Sequence, residues 1–545
     1  MFRPGIPSLI HNALLIFYSC DARKRLKTKI RYKLMRKTVY FLALILVFGS
    51  APLVGNQSPA GNSEAVYTEA VYNEANATLS DYVLTNSGIK IIYPLFSTPA
   101  IVRKGGNFSI MVSFDGAPEQ WECEISTAYD IVCEDYFLAV EDEEYNPTSG
   151  LWILNVTVPS NVNEDLYNIT VVAYSDGDKY QADEPKSVSV VNEFKNNFSF
   201  VHLTDFHIGD PRGMTVDVRK TIGWKAARKS VEEINLLNPD FVIITGDLVF
   251  GQLYPFEYSV EYRKCYKILQ QFDVPTFLCP GNHDGYIQTG QDGFRLWEKF
   301  IGPLYYSFNY GNYHFTSINS YDWPAPSRWA ISYAPLQWGG HIREEQMKWI
   351  EKDLEHSTNA KARFIMLHHN PLWDTKNDSL LKNGNYTGRE ELLSLIEKYN
   401  VSAVFDGHVH YDNVTEQNGT LYITTTTCAS ELSAEDAYWG YRLIEVEDGK
   451  IVSYNYKEPK YSIPLYRLNC TYSENDGSAS TVSAEIENDL EMNVEATLHF
   501  YVPPGDYEVD NGEIIREAEA NGIERVDVST SIPPTTSMEV VIHPS

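Results

Sequence analysis

Strand-like alternation and helix-like periodicity divide this chain into three blocks. In residues 91–195, alternating runs such as FSIMVSF, LWILNVTV and YNITVVAYS are separated by clusters of Gly, Pro, Asn and Asp. This pattern is typical of an antiparallel, immunoglobulin-like β-sandwich. The alternation returns in residues 461–545, in TVSAEIEN and VEATLHFYV, and predicts a second β-sandwich there.

The block between the two sandwiches, residues 198–460, has a different rhythm. The strand candidates FSFVHLTD, FVIITGD, PTFLCPG, RFIMLHH and VSAVFDGH are interleaved with helical patterns near 215–236, 258–271, 343–355 and 389–399. Strand character resumes over residues 421–457 and completes the sheets. Helical patterns between apolar strands predict an α/β domain built from βαβ crossovers.

The chain begins with a basic stretch, RKRLKTKIRYKLMRK, that leads directly into the apolar run VYFLALILVF. This order predicts a signal peptide or signal anchor within residues 1–55, with Met35 as an alternative start. Residues 56–90 have the composition of a solvated linker. We therefore expect the folded domains to be secreted, or held at the cell surface through residues 39–55.

Composition and charge narrow the class of protein. The 545 residues are 43% hydrophobic and 13% aromatic, which is enough for about three folded domains. A formal net charge of -29 would repel a phosphate backbone, so non-specific nucleic-acid binding is not expected. Sequons for N-linked glycosylation agree with export and occur at Asn56, Asn76, Asn107, Asn155, Asn168, Asn197, Asn377, Asn385, Asn400, Asn413, Asn418 and Asn469.

The cysteines do not predict a disulfide-dense scaffold. Cys123 and Cys133 lie in WECEISTAYDIVCEDY, where two strands could face each other across a turn, and they are the pair we expect to be bridged. The spacing of the later cysteines indicates no metal site, and buried thiols are expected at Cys265, Cys279, Cys428 and Cys470.

Five polar clusters follow five strand candidates of the central block. They are Asp205-Phe-His207, Gly246-Asp247, Gly281-Asn282-His283-Asp284, His368-His369-Asn-Pro371 and Gly407-His408-Val-His410. Asp-X-His and Gly-Asp are common by chance, whereas Gly-Asn-His-Asp and Gly-His-X-His are rare. Because ligands bind outside the carboxyl ends of strands in α/β sheets, these side chains are expected to converge on one crevice.

The residue types in these clusters indicate the chemistry of the crevice. Carboxylate, amide and imidazole donors suit divalent Mn, Fe, Zn or Co, and the absence of cysteine argues against a thiolate site. The donors outnumber the ligands that one catalytic metal uses while keeping an open position, so two ions are expected. Three neighbouring polar residues have simpler interpretations: His202 as a packed histidine, Asp406 as a strand-end hydrogen-bonding group, and Asp210 as either a turn residue or a contact near the site.

The five clusters, in this order, resemble the motifs of the calcineurin-like metallophosphoesterases, a superfamily that includes purple acid phosphatases and phosphodiesterases. The resemblance covers residues 198–460 and implies a four-layer αββα sandwich, here flanked by the N- and C-terminal β-sandwich domains. It also implies that Asp205, His207 and His410 hold one metal, that Asn282, His369 and His408 hold a second, and that Asp247 bridges them. His369 is preferred to His368 because it stands two residues before Pro371, and His368 remains possible as an outer contact.

The same resemblance assigns roles to the residues that follow Asn282. His283 would stabilise charge on phosphorus or protonate the leaving oxygen, and Asp284 would orient its ring. The nucleophile would be a hydroxide bound to the metals, with no covalent enzyme intermediate.

The substrate is less well indicated than the reaction. We expect a phosphate ester, with a lean to phosphodiesters, because no run of basic residues marks a pocket for a phosphomonoester. Arg328 and Arg343 are candidates for contacting a phosphate oxygen, and the aromatic stretch 305–340 is either a substrate-covering lid or a packed loop. The alternatives are a phosphomonoesterase, a protein phosphatase, and a cell-surface binding protein with a vestigial metal site.

Overall fold

The computed structural model describes residues 88–210, 222–252, 258–331, 334–373 and 386–545. The predicted leader, with Met35 and the apolar segment 39–55, lies outside the described residues, as does nearly all of the predicted linker. Within the described part, no helix is both long and apolar enough to cross a membrane.

The first domain is a β-sandwich, as its alternation predicts. Its strands are β1 (Ile89–Tyr93), β2 (Ala100–Arg103), β3 (Asn107–Phe114), β4 (Gln120–Ser126), β5 (Asp135–Asn146), β6 (Leu151–Thr157), β7 (Asp165–Ser175) and β8 (Asp178–Val191). They are hydrogen-bonded in the order β1-β3-β6-β5-β4-β7-β8-β2. One end of β5 pairs with β4 and the other with β6, so this strand connects both halves of the sandwich.

The predicted disulfide between Cys123 and Cys133 is wrong, because both residues are free thiols. Cys123 is buried in β4 and lies opposite Leu138 of β5. Cys133 precedes β5, and its Sγ lies 3.6 Å from a carboxylate oxygen of Asp135. The register of the hairpin therefore keeps the two cysteines apart, and a spacing in sequence could not reveal that register.

Every α-helix among the described residues lies in the central domain. Its strands are β9 (Asn197–Leu203), β10 (Phe241–Thr245), β11 (Thr276–Cys279), β12 (Ile287–Gln288), β13 (Gln291–Asp292), β14 (Tyr306–Tyr310), β15 (Tyr313–Ser317), β16 (Ala330–Ile331), β17 (Ala334–Pro335), β18 (Ala362–Met366), β19 (Ala403–Asp406), β20 (Asn413–Gln417), β21 (Thr420–Thr424), β22 (Gly440–Glu447), β23 (Lys450–Ser453) and β24 (Ile463–Pro464). Its helices are α1 (Ile222–Leu237), α2 (Tyr258–Leu269), α3 (Asn282–Gly285), α4 (Gly293–Phe300), α5 (Glu344–His356) and α6 (Arg389–Lys398).

Two sheets form the centre of this domain. The first has the order β11-β10-β9-β22-β23, and the second has the order β14-β15-β18-β19-β21-β20. Strands β9, β10 and β11 are parallel, as are β15, β18, β19 and β21. The inner faces pack through aromatic rings; the centroid of Phe200 lies 5.0 Å from that of Phe241 and 5.4 Å from that of Phe405 in the opposite sheet.

Helices cover the outer face of each sheet. Residues of β9 alternate, so that Phe200 joins the core between the sheets while Val201 and Leu203 join the core beneath α1 and α2. On the second sheet, Ile365 and Val404 pack with apolar side chains of α5 and α6. The layers therefore run helix, sheet, sheet, helix, and the predicted αββα fold is confirmed.

The C-terminal domain is a smaller β-sandwich. Its strands are β25 (Leu468–Tyr472), β26 (Val482–Asn488), β27 (Val494–Val502), β28 (Tyr507–Asp510), β29 (Glu513–Ala520), β30 (Ile523–Ile532) and β31 (Thr536–Pro544). They form a four-stranded sheet, β25-β26-β31-β28, and a three-stranded sheet, β27-β30-β29. The predicted boundary at residue 461 is slightly early, because β24 still pairs with β22 of the central domain.

Candidate metal centre

The five polar clusters lie at the carboxyl ends of parallel strands of both sheets. Asp205 follows β9, Asp247 follows β10 and Asn282 follows β11, while His368 follows β18 and His408 follows β19. The two sheets present these ends to the same edge of the sandwich, so side chains far apart in sequence form one cluster.

The backbone at this edge is strained at several of the predicted ligands. Positive φ angles occur at Asp205 (57°), His207 (45°), Asp247 (52°), His408 (72°) and His410 (59°). This conformation is uncommon for residues other than glycine, and clusters of it mark sites where function requires a particular side-chain direction.

The glycines of the clusters allow neighbouring loops to approach closely. A Cβ atom on Gly281 would lie 2.2 Å from Oδ1 of Asp247, and a Cβ atom on Gly407 would lie 1.9 Å from Oγ1 of Thr204. Any larger residue would displace the carboxylates of the cluster, so glycine is required at both positions.

Asp205 organises the first group of donors. Its Oδ1 lies 3.3 Å from Nε2 of His207 and 3.2 Å from Nε2 of His410. Its Oδ2 accepts hydrogen bonds from the backbone N–H of His408 and from the Thr204 hydroxyl. One oxygen is thus held by the protein while the other points at two imidazoles.

The two carboxylate oxygens of Asp247 also make different contacts. Its Oδ1 accepts a hydrogen bond from the backbone N–H of His283 at 2.8 Å. Its Oδ2 lies 3.3 Å from Nε2 of His207 and 3.1 Å from Nε2 of His368. Since His207 belongs to the first donor group and His368 to the second, Asp247 stands between them.

The second donor group contains two buried atoms that make no hydrogen bond within the described residues. These atoms are Oδ1 of Asn282 and Nε2 of His368. The Asn282 amide donates from Nδ2 to the Tyr286 hydroxyl at 2.6 Å, which leaves Oδ1 available. Nδ1 of His368 donates to the Thr245 carbonyl at 2.7 Å, so Nε2 is the nitrogen that faces the cluster. Both atoms have the character expected of metal ligands.

His369 is placed differently from its neighbour. Its Nε2 lies 2.9 Å from the Trp338 carbonyl, and its Nδ1 lies 2.9 Å from the Ser320 hydroxyl. A ligating nitrogen of His369 still comes within 4.8 Å of ligating atoms of His368 and His408. In this arrangement both nitrogens of His369 are hydrogen-bonded to neutral groups of the protein, whereas Nε2 of His368 faces the Asp247 carboxylate.

His283 is held by a backbone carbonyl. Its Nδ1 lies 2.6 Å from the oxygen of Phe250, and its ring centroid lies 4.5 Å from that of His207. The ring therefore faces the cluster with Nδ1 carrying the proton toward the protein. Nε2 is the atom that can exchange a proton with a substrate.

Asp284, which the resemblance assigns to orienting the His283 ring, is bound to backbone N–H groups in this structure. Its carboxylate accepts hydrogen bonds from the backbone N–H groups of Leu248, Val249 and Gly281, at 3.0, 3.2 and 2.9 Å. Burial and the nearby charge of Asp247 raise the pKa of Asp284 to about 7. Asp284 thus ties two strand-end loops together, and the Phe250 carbonyl orients the imidazole.

The electrostatics of the cluster favour cations between the carboxylates. Burial opposes charge on His207, but hydrogen bonds to Asp205 and Asp247 outweigh it and raise the pKa of His207 to about 10. Burial is likewise outweighed at His368, where Asp247 raises the pKa to about 9. Burial and the charge of His368 lower the pKa of His408 to about 3. Oxygen and imidazole donors in such a field fit divalent cations.

His202, Asp406 and Asp210 make the contacts that their simpler interpretations predict. The nitrogens of His202 meet the hydroxyls of Thr245 and Thr425 at 2.8 and 2.7 Å, as in a packed histidine. Asp406 accepts hydrogen bonds at its strand end, and Asp210 accepts one from Ser430.

Both candidate arginines are paired with carboxylates of the central domain. Arg328 is buried and donates to the Asp292 carboxylate and to the Gly285 carbonyl. Arg343 is bound to Asp322 at 2.7 Å. Both arginines hold loops of the central domain in place.

The aromatic stretch 305–340 is partly sheet and partly a segment against the cluster. Its first part forms β14 and β15 of the second sheet. Its later part supplies the Ser320 and Trp338 contacts to His369, and the ring of Tyr321 stacks on His369 with centroids 6.1 Å apart.

Several residues of the site carried no signal in the sequence. Thr204, Phe250, Tyr286 and Ser320 orient the donors through a hydroxyl or a carbonyl, and such groups are too common to stand out. Tyr286 lies directly after the Gly-Asn-His-Asp-Gly turn, and this proximity was the one available indication.

Comparison with known proteins agrees with this geometry. Residues 198–412 match the family of calcineurin-like phosphoesterases. A probable cyclic nucleotide phosphodiesterase of Vesicomyosocius okutanii subsp. Calyptogena okutanii is 25% identical over 243 residues, which cover 44% of this chain and 90% of that protein. A probable glycerophosphodiester phosphodiesterase GpdQ of Arcobacter nitrofigilis is 26% identical over 247 residues, 43% of this chain and 80% of that protein. Serine/threonine-protein phosphatase CPPED1 of Rattus norvegicus is 27% identical over 240 residues, 42% of this chain and 72% of that protein. Residues 198–412 of the central domain are therefore similar to the calcineurin-like phosphoesterases.

Proposed function

We propose that this protein is an exported phosphoesterase with two divalent metal ions and a preference for phosphodiesters. The observation that carries the proposal is the position of Asp247, whose Oδ2 lies within 3.3 Å of an imidazole from each donor group. A carboxylate between two sets of donors is suited to bridging two cations.

The ligand set that we propose departs from the sequence prediction at one position. Asp205, His207 and His410 hold the first ion, and Asn282, His368 and His408 hold the second, with Asp247 shared. His368 replaces His369 because its Nε2 is buried, makes no hydrogen bond within the described residues and lies beside Asp247. The nitrogens of His369 are engaged by Trp338 and Ser320.

The ions and the protein side chains would contribute different steps of the reaction. Two divalent ions, when bound, lower the pKa of water and neutralise phosphoryl oxygens during displacement. The protein would position these ions through the carboxylate oxygens of Asp205 and Asp247 that do not accept a hydrogen bond from a backbone N–H group. The Phe250 carbonyl keeps Nδ1 of His283 as a donor, so Nε2 is the atom that takes up a proton and, from the imidazolium form, gives it to the leaving oxygen.

Two observations support the preference for diesters. A phosphomonoester carries about two charges near neutral pH, and the candidate arginines that could neutralise the second one are bound to Asp292 and Asp322. Two of the relatives also carry names of phosphodiesterases, for cyclic nucleotides and for glycerophosphodiesters.

A phosphomonoesterase is the second candidate, because another relative is named as a serine/threonine-protein phosphatase. A binding protein with a vestigial metal site is the third. It is disfavoured by the donor set, in which Asp205, Asp247 and His408 are all present and clustered. Export is supported by the apolar segment 39–55 and by the sequons.

The test uses the full chain, stripped of metal with a chelator and reloaded with Mn²⁺. We expect bound Mn²⁺ to reach two per chain and turnover of bis-p-nitrophenyl phosphate to exceed that of p-nitrophenyl phosphate. A reversed preference would replace the diesterase by a phosphomonoesterase. Two bound ions without turnover of either ester would favour the binding protein.

A further inference from the structure

A second concave site lies away from the metal cluster, between the first β-sandwich and the central domain. It is a cleft of about 970 Å³, lined on one side by β3 and β6 and on the other by the β14–β15 turn and the region after α5. Its volume is at the upper end of the range of small-molecule sites. The β14–β15 turn is at the amino end of β15, whereas the metal cluster lies beyond the carboxyl ends of the parallel strands. The length of β15 alone separates these two ends by about 15 Å.

The walls of this cleft are rich in side-chain amides. Asn107 and Asn155 come from the sandwich, and Asn309, Asn312 and Asn359 come from the central domain. Within the described residues, none of the five amide NH₂ groups donates a hydrogen bond to protein, although the oxygens of Asn107 and Asn155 accept bonds from Thr157 and Ser109. The cleft thus offers several hydrogen-bond donors from opposite walls.

The charged groups at the cleft are already paired. Asp353 accepts hydrogen bonds from Nε2 of His314 at 2.9 Å and from the Thr316 hydroxyl at 2.7 Å. The described residues that line the cleft include no lysine and no arginine. An anionic ligand such as a nucleotide would therefore find no positive partner, so the chemistry of the walls fits an uncharged ligand.

Two apolar side chains, Phe108 and Met111, also line the cleft at the edge of the sandwich core. Amide groups beside apolar side chains match a sugar, whose hydroxyls both donate and accept hydrogen bonds and whose ring carries C–H faces.

We propose that this cleft binds neutral carbohydrate. Two kinds of carbohydrate have that chemistry. The sugar can belong to an external oligosaccharide, or it can be an N-linked glycan of the chain itself, because Asn107 and Asn155 both stand in sequons.

The first experiment uses the full chain made without N-linked glycans and titrated calorimetrically with maltohexaose, cellohexaose, xylohexaose, mannohexaose and chitohexaose. We expect one or more to bind. The double variant Asn312→Ala/Asn359→Ala should weaken that binding at least about tenfold, since each lost hydrogen bond costs several-fold in affinity. Asn469→Ala, an exposed asparagine of the C-terminal domain, is the matched control.

Binding of none of the five sugars, or equal binding by wild type and the double variant, would overturn the proposal. Melting temperatures show that the double variant is folded. The Mn²⁺-dependent turnover of bis-p-nitrophenyl phosphate, measured on the same samples, is expected to be unchanged by the double variant. Failure here is therefore separate from failure of the proposed function.

The second experiment distinguishes the two sources. The chain is made in a secretory host, with and without an inhibitor of N-glycosylation, so that Ser109 and Thr157 keep their hydrogen bonds to Asn155 and Asn107. If the occupant is the chain's own glycan, oligosaccharide binding is lost in the glycosylated protein and present in the unglycosylated protein. Equal binding by both forms assigns the cleft to an external sugar.

Discussion

At the scale of single residues, the site depends on which atom of each side chain is left available. Asp205 and Asp247 each commit one oxygen to a backbone N–H and turn the other toward imidazole. His368 and Asn282 likewise use one polar atom in a hydrogen bond to the protein. These outer hydrogen bonds select the tautomer or the amide orientation, and so they determine what the cluster can bind.

Substitution of His283 separates catalysis from metal binding. His283→Ala is expected to retain two Mn²⁺ per chain and to lose about 100-fold or more in kcat, because it removes a proton donor without removing a proposed ligand. Metal analysis and steady-state kinetics on the same preparation test this. Unchanged kcat would contradict the assigned role.

The adjacent histidines give a second, paired prediction. His368→Ala is expected to reduce bound Mn²⁺ from two to about one, because the second ion loses an imidazole ligand. His369→Ala is the matched variant and is expected to keep both ions while raising KM, because it releases the Trp338 contact. The opposite pattern of metal content would restore His369 as the ligand.

Tyr286 is expected to act on the metal through Asn282. Tyr286→Phe removes the hydroxyl that orients the Asn282 amide, and we expect the affinity for one of the two Mn²⁺ ions to fall about 10- to 100-fold. Calorimetric titration measures this without turnover. Tyr321→Phe is the control, because its hydroxyl donates to the Gln337 carbonyl while its ring also packs on Tyr286. Equal affinities in both variants would contradict the role of Tyr286.

At the scale of elements, the junctions between strands and loops position the donors. Parallel strands of two sheets end at one edge, and each is followed by a tight turn in which glycines let loops touch. The turns bring Asp205 against His408 across a large separation in sequence. The precision of the site therefore depends on close backbone contacts between sheets as much as on its ligands.

Gly407→Ala tests this close approach. The new Cβ would lie 1.9 Å from Oγ1 of Thr204 and 2.5 Å from Oδ2 of Asp205, so we expect destabilisation by about 2 kcal/mol or more and weaker Mn²⁺ binding. Gly419→Ala is the matched variant, because its Cβ meets nothing within 4 Å although φ is +83°. We expect that variant to cost only about 1 kcal/mol of strain and to leave Mn²⁺ binding unchanged. Equal effects of both variants in chemical denaturation would contradict the requirement for close approach.

At the scale of the whole molecule, a buried ion network joins the two β-sandwiches. Arg525 of β30 contacts Asp130 at 2.7 Å and Asp165 at 3.2 Å, and Arg516 of β29 contacts Asp165 at 2.8 Å. Burial opposes charge on Asp527 within this network, but His499 and Arg525 outweigh it and hold its pKa well below the usual value. The flanking domains are thereby fastened to each other.

Breaking this network should destabilise the protein in a pH-dependent manner. Arg525→Met removes the guanidinium shared by the buried carboxylates of Asp130, Asp165 and Asp527, and we expect a loss of about 3 kcal/mol in the free energy of unfolding near neutral pH. Because the pKa of Asp527 is lowered in the folded state, its contribution is present above the unfolded pKa of about 3.9 and is lost as the pH falls below it. The difference between wild type and variant should therefore shrink in acid. Lys348→Met, which removes an exposed pair with Glu344, should leave the free energy of unfolding nearly unchanged at either pH.

The sequence by itself determined the order and type of the elements and the chemistry of the donors. Strand and helix patterns are local, so FSFVHLTD and VSAVFDGH could be identified as strands that end in polar clusters without knowledge of their neighbours. The convergence of Asp205, Asp247 and His408 followed, because parallel strands place their carboxyl ends at one edge.

Only the tertiary structure decided features that depend on side-chain direction and on register between distant segments. The choice between His368 and His369 depends on the Thr245 and Trp338 carbonyls, which are far away in sequence. The separation of Cys123 from Cys133 likewise depends on the register of a hairpin. Adjacent residues at a strand end point in different directions, and the direction that each takes is set by partners from other strands, which no local pattern records.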